Sequence, residues 1–561
     1  MKKFSVAVFG LLLGSSFASA ADMPLPYAPV ALWSWTGLYI GVHVGGGFAS
    51  SQFSDPGGPS IYGDSVRSPA ALAGFQLGYN WQIPNSSFLL GAEADASASI
   101  GDGTVTCLAS SGIFVSANCR VRPQANGSLT GRVGYVTGPR GHTLIYAKAG
   151  AAWLQEQIDI TTNFSGFNAA PPATSFDGVR WGWTVGGGIE KALTPAWSVK
   201  LEYDYANFGD LSASTPGSFV LLFPFAFSTP GGTTSINQSL QTLKVGLNYK
   251  IGENLSAQWE PSASDYRLRG ATDPGYIPDA EIEVGGRVWY SFGKFQKDLG
   301  ASFDPTQQNQ LISRLTYDSP AASGELFGRI DTPTNIFLKG FVGGGKLLSG
   351  NMHDEDWLLF DGIPYSNTLS TVKGDLAYAT FDVGYSVFRG PSANVGGFIG
   401  YNYFRENKQA FGCVQIANSN SDCVPTLANS ILGITEDDKW NSMRIGINSV
   451  LKVTDRLTLT SDAAYLPFVS FAGTDNHLLR SDVGNPVSPE TATGRGVQLE
   501  AILSYAIARS FSVGAGGRYW AMWAPGNSDT FSQGCPCQTL PVRTERFGGF
   551  LQASYKLDGL K

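Results

Sequence analysis

The feature that most constrains this chain is an alternation of apolar and polar residues that recurs along most of its length. In residues 243–250, Leu243, Val245, Leu247 and Tyr249 share one face, and Lys244, Gly246, Asn248 and Lys250 share the other. In residues 551–557 the apolar face is Leu551, Ala553, Tyr555 and Leu557. Period two marks a β-strand with two different faces. Beyond the N-terminus, no apolar run approaches the roughly 20 residues that a membrane-crossing helix needs. Charged residues are only 15% of the chain, few for a soluble surface, and stretches rich in helix formers are missing. The polar faces are too polar for lipid and suit the inside of a ring. Closed β-barrels are the only β-structures that satisfy their backbone in lipid. The expected fold is therefore all-β, with transmembrane antiparallel β-barrels in the outer membrane of a bacterium.

The N-terminus reads as a secretory signal. Lys2 and Lys3 precede a short apolar run, and Ala18, Ser19 and Ala20 form a small-residue cleavage site, so residues 1–20 are expected to be removed. Eight strand candidates follow near 35–49, 70–83, 87–100, 127–138, 142–158, 178–191, 196–208 and 238–250. Ten more lie near 280–296, 309–331, 335–349, 371–388, 393–408, 438–453, 456–471, 491–508, 510–523 and 543–557. Residues 251–279 break the pattern with Pro261, Pro274 and Pro278 and read as a periplasmic linker. The expected organisation is a barrel of about eight strands over 21–250 and one of about ten over 280–561, in tandem. Both counts are even, as antiparallel closure requires. One continuous barrel of about 18 strands, a large porin, also has an even count. The longer stretches (101–126, 209–237, 350–370, 410–436, 472–490 and 524–542) are expected to be mostly outer loops.

Six cysteines fall into local pairs, Cys107/Cys119, Cys413/Cys423 and Cys535/Cys537, in polar stretches. In an exported chain these read as loop-stapling disulfides. The net charge of −7 comes without a basic block, which argues against a nucleic-acid partner. A P-loop and a GxSxG nucleophile elbow are both missing, and no cofactor is expected. Nothing in the residues speaks to oligomeric state.

Trp35-Thr-Gly-Leu-Tyr-Ile-Gly-Val-His-Val-Gly-Gly46 resembles the first strand of the small opacity-type and porin-like surface barrels of alphaproteobacteria. Residues 201–205 and 243–250 are similar to later strands of that family. The resemblance implies an eight-stranded outer-membrane barrel over roughly 30–250, and no chemistry. His43 reads as a lumen or strand residue.

The second half carries the candidate chemistry. Of the four histidines, His353 and His477 lie beside carboxylates, in Asn351-Met-His-Asp-Glu-Asp-Trp357 and in Asp475-Asn-His477. On a strand end, residues i and i+2 point the same way. Asp354 and Asp356 would share one face, and Asp475 and His477 another, at the outer ends of the third and seventh strands of the second barrel. Facing each other across a small mouth, the two pairs could hold one water. His477 would deprotonate it, Asp475 would orient the imidazole, and the opposite carboxylates would fix the water or share a proton. A zinc site using both histidines and the carboxylates has acceptable ligand types.

The two motifs resemble the Asp-x-Asp-Trp and Asp-x-His motifs of the omptins, ten-stranded outer-membrane proteases. The resemblance implies an endopeptidase whose catalytic residues are Asp354, Asp356, Asp475 and His477. It also implies an extracellular peptide or protein substrate, and lipopolysaccharide as an activating lipid. Omptins favour basic residues flanking the cut and carry an acidic residue two positions before the Asp-x-His motif. Here that position is Gly473, and the end of the first strand offers Lys294 and Lys297. The alternative to catalysis is a surface barrel used for adhesion or envelope integrity.

Overall fold

The computed structural model describes residues 33–55, 64–108, 117–138, 141–162, 173–222, 225–229, 231–252, 280–300, 311–357, 365–390, 393–417, 422–534 and 538–557. The expected signal peptide, most of the expected linker and the Cys535/Cys537 pair lie outside these residues.

Eighteen long strands carry the fold. The first eight are β1 (Gly37–Phe53), β2 (Ser65–Gln82), β3 (Phe88–Gly101), β4 (Ala117–Thr137), β5 (Thr143–Thr162), β6 (Ala173–Ala192), β7 (Trp197–Ser214) and β8 (Thr233–Ile251). Each pairs antiparallel with its neighbour in sequence, and β8 returns to β1 with Leu38 opposite Ile251, so the ring closes. The next ten are β9 (Glu281–Gly300), β10 (Leu311–Asp331), β11 (Ile336–Asp356), β12 (Ser366–Arg389), β13 (Ala393–Gln415), β14 (Leu427–Lys452), β15 (Leu457–His477), β16 (Val487–Ala506), β17 (Phe511–Ala524) and β18 (Val542–Leu557). They close in the same way, with Ile282 of β9 opposite Leu557 of β18. The partners of β8 are β1 and β7, and those of β9 are β10 and β18. This pairing rules out the single large barrel, which needed β8 and β9 side by side.

Burial is reversed from that of a soluble protein. Val42, Phe75, Leu129, Trp181, Val288, Leu326 and Leu551 are exposed, while Glu93, Arg132, Lys148, Lys200 and Glu202 are buried. Outward apolar and inward polar side chains mark a barrel wall in lipid. The first lumen is filled by ion pairs, among them Arg132–Glu190 at 2.9 Å, Lys148–Glu202 at 2.7 Å and Lys200–Glu93 at 2.9 Å. His43 sits in this packing, its Nδ1 at 2.5 Å from Gln76 Oε1 and its Nε2 at 2.7 Å from Ser97 Oγ. In the second lumen Arg518 bridges Glu325 and Glu500 among Trp289, Phe341 and Trp520. Val288 and Leu551 are cross-strand partners on the lipid face. A lysine at either is expected to cost about 2–4 kcal/mol near the bilayer midplane. Folding yield into vesicles measures this, and a polar residue for Gln552 on the inner face is the tolerated control.

The two rings pack flank to flank. Val199, Leu201 and Val245 of the first join Val395, Leu459, Val497 and Leu499 of the second in one apolar cluster. A Cβ on Gly46 would stand 2.7 Å from Val497 Cγ2, so the approach needs glycine there.

Short turns at 332–335, 453–456 and 507–510 mark the periplasmic end of the second ring. At the other end the strands outrun the membrane, because about 9–11 residues suffice to cross. Parts of 350–370, 410–436 and 472–490 expected as loops are therefore strand: β11 continues to Asp356, β14 starts at Leu427 and β15 continues to His477. Above the lipid both strand faces can be polar, so the alternation fades while the hydrogen-bond ladder runs on. The disulfides Cys107–Cys119 and Cys413–Cys423 are formed at the outer ends.

Candidate active site

β11 and β15 are the third and seventh strands of the second ring, as expected. The outward apolar residues of β11 end at Leu348, and on β15 Phe468 is exposed to lipid, so the acidic motifs lie beyond the bilayer. The pleat sets direction. Asp354 pairs across with Leu315, and Met352 with Tyr317, and these apolar partners belong to the core inside the ring. Asp354 and Asp356 therefore face the mouth, while His353 and Glu355 face away. His353 Nδ1 lies 3.3 Å from Asn367 Oδ1 on that outer face, so the two histidines do not converge on a zinc site.

His477 Nε2 lies 2.9 Å from Asp475 Oδ2, which leaves Nδ1 as the ring nitrogen available for chemistry. The His477 ring also meets Phe531 edge-on, with centroids 5.8 Å apart. Burial alone would depress the imidazole, but Asp475, with help from Asp354, pushes its pKa up to about 9. Burial alone would raise the Asp475 carboxyl, but His477 and Lys297 hold it below the usual carboxylate range. Burial raises Asp354 well above that range, and the nearby Asp356 adds to the effect. Asp356 is raised to about 6, chiefly by burial. The charge of His477 opposes the rise at both aspartates.

Sequence reading named Lys297 as a departure from the omptin pattern but missed the two glutamates it holds. Lys297, fully buried at the end of β9, places Nζ 2.8 Å from Asp475 Oδ2, 2.5 Å from Glu436 Oε2 and 2.8 Å from Glu490 Oε1. Among the described residues, these three carboxylates form the one group spaced to grip a metal ion, and the lysine ammonium occupies their midst instead. Glu490 is the cross-strand partner of Gly473, where a Cβ would stand 2.7 Å from the Phe471 ring and 2.8 Å from Glu490 Oε2. A carboxylate therefore stands beside position 473, carried by the next strand. A glycine opposite a glutamate in period-two register was the available signal. Burial and the neighbouring Glu436 push Glu490 up to about 8.

A family model described as an outer membrane protein beta-barrel domain matches residues 9–221. The 31 kDa outer-membrane immunogenic protein of Brucella melitensis biotype 1 is 30% identical over 270 residues, covering 45% of this chain and 100% of that protein. The chain belongs to the outer-membrane β-barrel protein family. The 25 kDa outer-membrane immunogenic protein of Brucella abortus biovar 1 is 26% identical over 258 residues, covering 45% of this chain and 99% of its own. For this outer-membrane barrel protein, solved structures with a similar fold include the outer-membrane protease OmpT of Escherichia coli. It is 14% identical with a TM-score of 0.41, covering 49% of this chain and 97% of that one. At that level the likeness carries no weight on mechanism, which is left to the geometry of the mouth.

Proposed function

We propose that the second barrel is an endopeptidase that cuts an extracellular peptide or protein with a water held between Asp475–His477 and Asp354–Asp356. The observation that carries this reading is that both motifs stand at the outer ends of strands of one ring, with Asp354 on the mouth-facing side of β11 and His477 held 2.9 Å from Asp475 on β15. His477 Nδ1 takes a proton from the water, and the resulting hydroxide attacks the peptide carbonyl. The imidazolium, stabilised by Asp475, then gives that proton to the leaving amine. Asp354 and Asp356 share a proton and fix the water, since two close carboxyls resist joint ionisation. Outer-leaflet lipopolysaccharide is the lipid partner in which activity should be sought.

Lys297 already occupies the midst of the acidic cluster, the place a substrate's basic side chain would take. Cleavage is therefore expected without a preference for Lys or Arg, and a peptide library read by mass spectrometry checks this. A base protonated below about pH 9 also fixes a pH profile. On the acid side kcat/KM is expected to rise about tenfold per pH unit before levelling. A rate that falls between pH 6 and 9 would remove His477 from the role of base.

One observation favours a second reading, a non-catalytic surface barrel. Lys297 bonds Asp475 directly at 2.8 Å, so the acid is already committed to a structural ion cluster. On that reading no peptide is cut at any pH.

A further inference from the structure

The outer face of the catalytic strand end is not solvated. It is covered by the first barrel. The strand Gly103–Cys107 pairs with the start of β4, placing Thr106 opposite Asn118, and the Cys107–Cys119 disulfide ties the two strands. These two residues reach the second barrel at Arg314, which is fully buried. Arg314 Nη1 donates to Thr106 Oγ1 at 2.8 Å and Nη2 donates to Asn118 Oδ1 at 2.7 Å, while Nε donates to Asp298 Oδ1 at 2.6 Å. Arg543 adds a second tie, with Nη2 2.8 Å from Asp102 Oδ2 of the first barrel and Nη1 3.1 Å from Asp298 Oδ2.

Arg314 is the cross-strand partner of Glu355, the residue between the two candidate catalytic aspartates. Glu355 is buried on the face turned to the first barrel, where Tyr365 donates to its Oε1 at 2.9 Å and the Thr106 hydroxyl bears on its carboxyl. A strand that fixes Glu355 also fixes the direction of Asp354 and Asp356, because alternate residues of one pleat move together. Arginine suits this role, since its planar fork holds three acceptors in fixed directions at once.

We propose that Thr106 and Asn118 are positioning residues, and that the first barrel serves as a lateral clamp aiming Asp354 and Asp356 into the mouth of the second. This rests on the protease reading for its catalytic consequence, though not for its structural one.

The test uses the full chain in lipopolysaccharide-containing vesicles, comparing Thr106→Val/Asn118→Leu with Thr106→Ser. Two readouts are followed: peptide cleavage, and amide hydrogen exchange over residues 352–357. In the double variant kcat is expected to fall about ten- to a hundredfold with KM little changed, as misplacement of reacting groups does. Exchange over 352–357 should quicken while the membrane-spanning strands keep their protection. Thr106→Ser, which keeps the hydroxyl, should behave as wild type. Unchanged exchange over 352–357 in the double variant would overturn the proposal, as would Thr106→Ser behaving like the double variant. If the wild-type chain cuts no peptide, the protease reading fails while the exchange experiment still decides the clamp.

Discussion

Replacing His477 by Ala, or Asp354 by Ala, is expected to lower peptide cleavage by roughly 10²–10⁴-fold, the range that a positioned acid–base group contributes. The two effects should not add, because both groups serve one water. His477→Ala removes the proton acceptor and leaves Asp475 paired with Lys297 alone. Asp354→Ala leaves the Asp475–His477 pair standing but removes the opposite wall. Steady-state cleavage by the purified full chain measures both, with the double variant as the check on coupling. Full activity in either single variant would refute its role. A double variant much worse than both singles would mean that the residues act at separate steps.

The second large effect is expected at Lys297. Replacing it by Met leaves Glu436 and Glu490 buried together without the ammonium between them, and Asp475 facing His477 alone. Breaking a buried ion cluster in this way costs about 3–5 kcal/mol. The loss should depend on pH, and the sign follows from linkage. Carboxyls raised above their unfolded values bind more protons in the folded state, so stability falls as pH rises. Glu490 already sits at about 8 with the lysine present and should move further up without it. The deficit of Lys297→Met should therefore be large at pH 8 and shrink at pH 5, where Glu490 takes up its proton. Thermal unfolding in detergent at the two pH values reads this directly. An equal deficit at both would mean that Lys297 contributes packing rather than charge.

The ring counts were legible because a wall between lipid and a polar lumen imposes period two on every strand. The break around Pro261 and Pro274 correctly separated eight strands from ten. The shared faces of Asp354 with Asp356 and of Asp475 with His477, and their places on the third and seventh strands, were legible because i, i+2 spacing is a local property, although both strands run further than expected. What lay hidden was non-local. Glu490 reaches the site only through cross-strand register with Gly473, and Glu436 was assigned to a loop because strand alternation weakens above the membrane. The contact between the barrels was also invisible. Val497 and Leu499, which face the first barrel, are the same residue types as Leu503, which faces lipid. Apolar residues on a barrel exterior do not say which solvent covers them.

Histidine-resolved NMR on the full chain most directly tests whether the two motifs share one mouth, since only four histidines need assignment. In the wild type the His477 imidazole should titrate near 9, and in Asp354→Asn clearly lower, because the group opposite no longer supports the charged ring. An imidazole that titrates identically with and without the Asp354 carboxyl would contradict a shared site.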